Sequence, residues 1–351
     1  MTKLKRLQEG CRVDLRMLAD RLSLSQATVS RALSGHPAIK SATRERVASA
    51  ARELGYSPNS KARGLATGRT EAIGLVFPLE RLLLAQTNFV EVLSGISDVI
   101  TRRNYALLMS PFSDDEEAVL RRLASSGTIG GLIITRPRVD DPRISLLHGL
   151  GIPFVVHGRS DVDIPYSYVD IDNRAVFEKS AGLLLDLGHR RIASLNADLK
   201  FRYAAARATG FEAAHRSRGL NPVPGLSVQT PMTEQSGYEQ AIRLLSSAEP
   251  PTAILSGSIF MAQGVYRAIR EKGLRPGRDV SVVAHDDQLR GIKANEFDPP
   301  LSATESSVRK AGERLAEILI DRVDTGAAEP VTEIWPVELI VRGSIAPPPR
   351  H

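Results

Sequence analysis

A chain of 351 residues, 42% hydrophobic and 25% charged, has room for a small domain and about 280 further residues that make one large or two modest α/β domains. Its single cysteine, Cys11, excludes an internal disulfide and fits a reducing compartment. Residues 1–12 lack the apolar stretch of a secretory signal and no 18-residue apolar run occurs, so a cytoplasmic protein with no membrane partner is expected.

The net charge of +6 is unevenly spread: residues 1–70 hold 14 Lys and Arg against 5 Asp and Glu, and the rest of the chain holds 32 against 35. A basic head on a near-neutral body is the electrostatic footprint of a nucleic-acid-binding module.

In chain order, residues 1–12 read as a short basic extension, expected to be a disordered tail. Leu15, Leu18, Ala19 and Leu22 then share one face at helical spacing, with Arg16, Asp20 and Arg21 opposite. The break Ser23-Leu24-Ser25 sets an apolar plug between two hydroxyl residues, and Ser25 suits the N-cap of a helix beginning at Gln26. Two short helices at this spacing form a helix-turn-helix. In the second, Val29 and Leu33 face inward, which leaves Ser25, Gln26, Ala27, Thr28, Ser30 and Arg31 at the end of such a helix that meets base edges and phosphates. A third helix fits residues 42–54, with Val47, Ala50, Ala51 and Leu54 inside and Gly55 as its stop. These helices define a DNA-binding domain over residues 13–57. Residues 58–69 form a linker of about two helical turns, too short and too glycine-bearing to be stable alone.

The segments Val29-Ser30-Arg31-Ala32-Leu33, Thr43-Arg44-Glu45-Arg46-Val47 and Glu53-Leu54-Gly55-Tyr56-Ser57-Pro58-Asn59, with Ala62 and Leu65-Ala66, carry a specific likeness. The chain resembles the lactose/galactose repressor family of bacterial transcription regulators over nearly its whole length. The resemblance implies a dimer whose paired hinge helices enter the minor groove of operator DNA, with Asn59, Ala62 and Leu65 in contact and Leu65 wedged into the central base step. An apolar wedge of that kind kinks DNA and reads its deformability. Gly64 departs from the pattern, since a helix former would order the hinge more easily.

Beyond the hinge, short apolar runs at residues 72–77, 106–109, 131–134, 154–156, 192–195, 253–255 and 280–284 alternate with helical stretches of ten or more residues. Runs of this kind predict parallel sheets covered on both faces, in two doubly wound halves. The fold expected is therefore an all-α helix-turn-helix head with an α/β core of two parallel-sheet subdomains, and the resemblance implies that this core is periplasmic-binding-protein-like with three chain crossings. The crossings are expected near residues 170–173, 301–304 and 335–336. That divides the core, residues 70–345, into an N-subdomain (about 70–170 with 302–335) and a C-subdomain (about 171–301 with 336–345), followed by a Pro-rich tail over 346–351.

Open α/β sheets hold ligands beyond their strand C-termini, so two facing halves make a cleft lined by the residues after each strand. The candidates are Phe89, Arg136, His157 and Arg159 in the first half, and Asn196, Arg207, Ser258, Phe260 and Asp286 in the second. The resemblance assigns effector contact to Arg207, in Arg207-Ala208-Thr209-Gly210-Phe211, and to Asp286. A carboxylate and a guanidinium together satisfy vicinal hydroxyls in fixed geometry, so a small sugar is the expected effector. An intramolecular ion pair between Arg207 and Asp286 is the structural alternative. His189, between a helix stop and a strand, reads as structural. Ser258-Ile259 stands where many relatives place an Asn-Asp pair, while His157-Gly158-Arg159 and His285-Asp286-Asp287 resemble a branch that answers to α-glucosides and related disaccharides. A purine effector is disfavoured, because the two arginines would need a carbonyl or carboxylate partner.

An enzyme is not expected. Asp286 and Asp287 are adjacent on a strand end and point opposite ways, so they cannot flank one scissile bond, and no metal spacing, nucleophile elbow or phosphate loop occurs. No cofactor or metal is expected either. A secreted sugar-binding protein of the same core fold is the competing class, and the basic head decides against it. One head reads one half-site, so a homodimer on a near-palindromic operator is expected; the proline tail has no heptads to build a larger coiled-coil assembly.

Overall fold

The computed structural model describes residues 13–33, 36–56, 70–78 and 87–349. The basic extension with Cys11, and the hinge candidates Asn59, Ala62, Gly64 and Leu65, lie outside the described residues. The chain divides into two compact units, Met1–Thr70 and Glu71–His351.

In the first unit, α1 (Leu15–Leu22) starts where Asp14 accepts from the Met17 amide at 2.8 Å and stops at Ser23 in the left-handed region, φ 54°. Ser25 Oγ accepts from the Thr28 amide at 3.1 Å and so caps α2 (Gln26–Leu33). Helix α3 (Ser41–Glu53) begins and ends one residue before the sequence expectation. Leu18, Ala19, Val29, Ala32, Val47, Ala50 and Ala51 form the core, and the expected plug Leu24 packs against it. Arg46 donates to the Leu22 carbonyl at 3.0 Å, which ties α3 to the end of α1. So small a core leaves this unit marginal.

The second unit follows the alternation read from the sequence: β1 (Ala72–Pro78), α4 (Thr87–Arg102), β2 (Ala106–Phe112), α5 (Glu116–Ser125), β3 (Gly131–Thr135), α6 (Pro142–Gly149), β4 (Phe154–His157), β5 (Ser167–Ile171) and α7 (Asn173–Asp186). There follow β6 (Ile192–Asn196), α8 (Arg202–Arg216), β7 (Ser227–Gln229), α9 (Glu234–Leu245), β8 (Ala253–Ser256), α10 (Ile259–Glu271), β9 (Ser281–Asp286), β10 (Ser302–Glu305), α11 (Val308–Thr325), β11 (Thr332–Trp335) and β12 (Glu338–Ile340).

The strands form two sheets, ordered β11-β5-β4-β3-β1-β2 and β12-β10-β9-β8-β6-β7. Every pairing is parallel except β10 with β12. Buried runs such as Ile73 to Phe77 and Val282 to Ala284 are the signature of sheets covered on both faces.

The chain passes from the first lobe to the second between β5 and α7, returns between β10 and α11, and passes again between β11 and β12. The second crossing lies after Glu305 rather than at 301–304, because Ser302 to Glu305 pairs in parallel with Val283 to Asp286 and so belongs to the second lobe. The return to the first lobe therefore starts with α11, which packs on β3, β4 and β5. The Pro-rich tail is anchored at its start, where Ala346 bonds to Ser281 through both its amide (3.0 Å) and its carbonyl (2.9 Å). His189 bridges Thr252, Ser281 and the Ala346 carbonyl, a structural role.

Candidate functional site

In the head, Ser25, Gln26, Ala27, Ser30 and Arg31 are exposed around the N-terminal half of α2, while Val29 and Ala32 are buried beneath. Thr28 is half-buried, with its hydroxyl 2.8 Å from Ser25 Oγ. A convex face carrying an amide, a hydroxyl and a guanidinium suits base edges and phosphates in a major groove.

In the second unit a polar chain runs through the first crossing. Arg159 donates to Asp170 at 2.7 Å, Asn173 to Asp170 at 3.0 Å, and Arg207 Nε to Asn173 at 2.9 Å. Arg207 Nη1 donates to the Gly257 carbonyl at 2.7 Å. Asp170 ends β5 and Asn173 opens α7, so the crossing itself orients the guanidinium. Gly210, one turn beyond Arg207, has no side chain and lets α8 lie on the Arg174 carbonyl of α7, which brings Arg207 within reach of Asn173.

Arg207 is 4% exposed, none of its nitrogens is within 4 Å of a carboxylate, and Nη2 has no hydrogen-bond partner among the described residues. Burial pulls its pKa down, and Asp287, Tyr203 and Asp170 pull it back. A guanidinium nevertheless keeps its charge, so a buried cation is left with an unused donor.

The carboxylate facing it is Asp287. Burial alone would raise the Asp287 carboxyl, but His285, Arg207 and Asn88 outweigh burial and hold it below the usual carboxylate range. Asn88 donates to Asp287 at 2.6 Å, and His285 Nε2 lies 3.3 Å from it. Asp286 points to the other side. Its Oδ1 accepts from the Gln288 amide at 2.7 Å, and it lines a separate cavity of about 320 Å³ with Lys293, Glu305 and Arg342. The expected Arg207 and Asp286 partnership is not formed, because successive side chains at a strand end alternate in direction; Asp287 takes that place.

The other candidates separate in the same way. His157, at the end of β4, is half-buried with no hydrogen-bond partner among the described residues, and burial pushes its imidazole down against the pull of Asp170 and Asp287. It is thus a neutral group that both donates and accepts. Arg159 is held by Asp170. Phe89 is core, tilted against Phe77 at 5.8 Å, and Phe260 packs on the same core. Asn196 uses both ends of its amide locally, donating to Ala204 and accepting from Ala197 at 2.9 Å each, so it shapes the entry to α8. Ser258 caps α10 by accepting from the Met261 amide at 3.3 Å. Arg136 stacks on Phe201, its guanidinium carbon 4.6 Å from the ring centre.

Sequence reasoning passed over Asn173, Phe201 and Tyr203. Tyr203 precedes Arg207 by four residues on one helix face and lies 5.4 Å from its guanidinium. That spacing was the available signal.

The geometry agrees with the comparisons. The family model for bacterial regulatory proteins of the lacI family matches residues 18–59, and that for a periplasmic-binding-protein-like domain matches residues 181–345. The chain is 43% identical over 340 residues to the HTH-type transcriptional regulator AglR of Rhizobium meliloti (strain 1021), covering 96% of this chain and 95% of AglR. It is 34% identical to the HTH-type transcriptional regulator RafR of Escherichia coli, over 92% of this chain and 96% of RafR. Among solved structures, the lac repressor dimer bound to operator and the anti-inducer ONPF aligns with a TM-score of 0.83 at 25% identity, over 96% of this chain and 100% of that one. The CelR-cellobiose complex aligns at 0.69 and 28%, over 95% and 100%. The basic three-helix head, the two-lobed parallel-sheet core and these full-length likenesses establish that the chain belongs to the lacI family of bacterial regulatory proteins, DNA-binding regulators of transcription.

Proposed function

We propose that this regulator is a cytoplasmic repressor of carbohydrate uptake or catabolism genes, that it grips a near-palindromic operator as a homodimer, and that a small sugar in the cleft between its lobes alters that grip. The observation that carries the sugar reading is Arg207: a buried guanidinium with an unused donor among the described residues, near the buried carboxylate of Asp287, which is in turn near an imidazole, that of His157, with no hydrogen-bond partner among the described residues. Vicinal hydroxyls satisfy such a set, each donating to Asp287 and accepting from Arg207, with His157 serving either way. The relative solved with cellobiose and the lac repressor dimer solved on its operator support the same reading. An α-glucoside or another disaccharide is the effector class favoured by the His157-Gly158-Arg159 trio.

On the DNA side, Ser25, Gln26, Ala27, Thr28, Ser30 and Arg31 read the major groove, and Asn59, Ala62 and Leu65 enter the minor groove. Closing the lobes on a sugar changes the separation of two marginal hinges, and coupling of this kind is typically about 1–3 kcal/mol. The protein carries out recognition rather than catalysis. A thermal-shift panel of mono- and disaccharides tests the reading: a ligand that binds only the folded form raises the melting temperature. At least one disaccharide should stabilise the native chain and not Arg207→Gln. A panel without any stabilising sugar would refute the effector assignment.

A further inference from the structure

Besides the three crossings, the two lobes are laced together by main-chain hydrogen bonds between segments 136–139 and 200–202. The Arg202 amide donates to the Pro137 carbonyl at 3.1 Å, and the Val139 amide donates to the Lys200 carbonyl at 2.9 Å, about an antiparallel bridge between Arg138 and Phe201. Arg202 Nε donates to Asp161 at 2.6 Å, and Arg136 stacks on the Phe201 ring. Segment 136–139 follows β3 in the first lobe and segment 200–202 follows β6 in the second, whereas the crossings use β5 and β11 at one edge of the first sheet and β10 and β12 at one edge of the second.

The first-lobe half of this pairing is rigidly built. Arg143 donates to the carbonyls of Thr135 and Arg136 at 3.2 Å each and to the fully buried Asp141, whose other contacts include the Arg138 amide at 2.9 Å. Arg136 is held in the left-handed region, φ 53°, a conformation that costs energy outside glycine and persists where neighbours enforce it.

We propose that this pairing is an end stop that sets the length of the effector, closing the cleft behind a saccharide of one or two rings and rejecting longer chains. The inference rests on the reading of the cleft as a saccharide site. From Arg207 toward the strap, Tyr203 lies 5.4 Å from the guanidinium and Phe201 lies 6.0 Å beyond Tyr203, nearly parallel to it. Each separation is about the span of one pyranose ring, so no more than about two rings fit between Arg207 and the strap. A third ring would have to separate Pro137 from Arg202, losing two main-chain hydrogen bonds and an ion pair together. Rejection by a built-in obstacle is a common source of specificity.

Arg202→Pro isolates the strap. It removes the amide donor and the guanidinium at once, yet residue 202 is the first of α8, where proline is favoured, and Phe201 already has the extended backbone that precedes proline (φ −83°, ψ 130°). Binding to the full chain is measured by calorimetry with glucose oligomers of two, three and five rings, in both the α-1,4 and β-1,4 series. Exchange of the Val139 amide is followed by hydrogen exchange without sugar. The native chain should bind a disaccharide at least about tenfold tighter than the five-ring oligomer of the same linkage, and Arg202→Pro should bring the two within about threefold. Val139 should exchange slowly in the native chain and faster in the variant. A disaccharide that binds with the same length preference in both proteins overturns the end stop and leaves the sugar site standing. If no oligomer binds either protein, the saccharide reading falls and the end stop with it. Rapid exchange of Val139 in the native chain overturns the strap whatever the sugars do.

Discussion

Asn88 Nδ2 donates to Asp287 Oδ2 across 2.6 Å, so the first turn of α4 in one lobe is bonded to the residue that follows β9 in the other. That bond makes Asp287 a sensor of lobe position as well as the partner charge of Arg207. Replacing it by Asn keeps the shape and removes the charge. A hydrogen bond to a charged group is worth about 1.5–3 kcal/mol, so Asp287→Asn should weaken sugar binding about 10- to 100-fold while operator affinity without sugar is kept. Asp286→Ala, by contrast, should leave sugar affinity within about threefold and lower stability by about 1 kcal/mol through loss of its bond to Gln288. Calorimetry and melting curves on the two variants check this, and the opposite ranking would return the effector contact to Asp286.

Much of the architecture was legible because its signals are local. Short apolar runs rich in β-branched residues or leucine marked seven of the strands, and the head declared itself through Ser25, Val29 and the basic charge. The five missed have another character, beginning with β5, Ser-Tyr-Val-Asp-Ile, in which polar residues interrupt the apolar ones. Strand β7 is three residues with exposed ends, β11 and β12 alternate between exposed and half-buried, and β10 is Ser-Ala-Thr-Glu, so none carries an apolar run. The site was harder still. Arg207 is found from its helix pattern, but choosing Asp287 over Asp286 depends on which way β9 twists at its end, and Arg136 reaching Phe201 depends on a contact between segments some 65 residues apart in sequence. Asn196 and Ser258 follow or end strands as a ligand contact would, yet Ser258 is consumed as the cap of α10, because a buried helix start must satisfy its own amides first, and Asn196 is spent on the Ala204 carbonyl and the Ala197 amide.

Three histidines shielded from water make stability depend on pH. Burial lowers the pKa of His157, His189 and His215 below the ordinary value of 6.5. The unfolded chain then binds more protons than the native one below that value, so stability is complete above about pH 6.5 and declines as the pH falls through it. The melting temperature should drop between pH 7 and pH 5.5. The slope should be shallower in His189→Asn, whose amide can still bond Thr252 and Ser281. Sugar binding follows the native His157, which burial holds below 6.5, so affinity should be flat above about pH 6.5 and fall only as the pH drops through that lowered value, and His157→Gln should abolish that fall. Affinity profiles that coincide for the native chain and His157→Gln at every pH where both stay folded would remove His157 from the site.

Gly210 supports Arg207 from behind. A methyl group there would run into the Arg174 carbonyl of α7, a backbone atom that cannot swing away. Overpacking of this kind typically costs about 1–3 kcal/mol, so Gly210→Ala should lower the melting temperature by several degrees. It should also loosen the Arg207 to Asn173 bond and weaken sugar binding, whereas an exposed control such as Thr209→Ala should do neither. Unchanged melting would mean that α7 and α8 are free to slide apart.

On the DNA side, Arg31 and Leu65 test different terms of recognition. If Arg31 reads a guanine edge, Arg31→Ala should cost about 1–3 kcal/mol of operator binding and relax the preference at one base pair. Leu65, outside the described residues, contributes no charge, so Leu65→Ala should weaken operator binding and leave the salt-dependent attachment to random duplex nearly intact. The two are distinguished by titrating each variant on operator and on scrambled duplex at several salt concentrations. A loss that is equal on both duplexes for Leu65→Ala would mean that no apolar wedge enters the groove, and that the head finds its operator through the major-groove face of α2 alone.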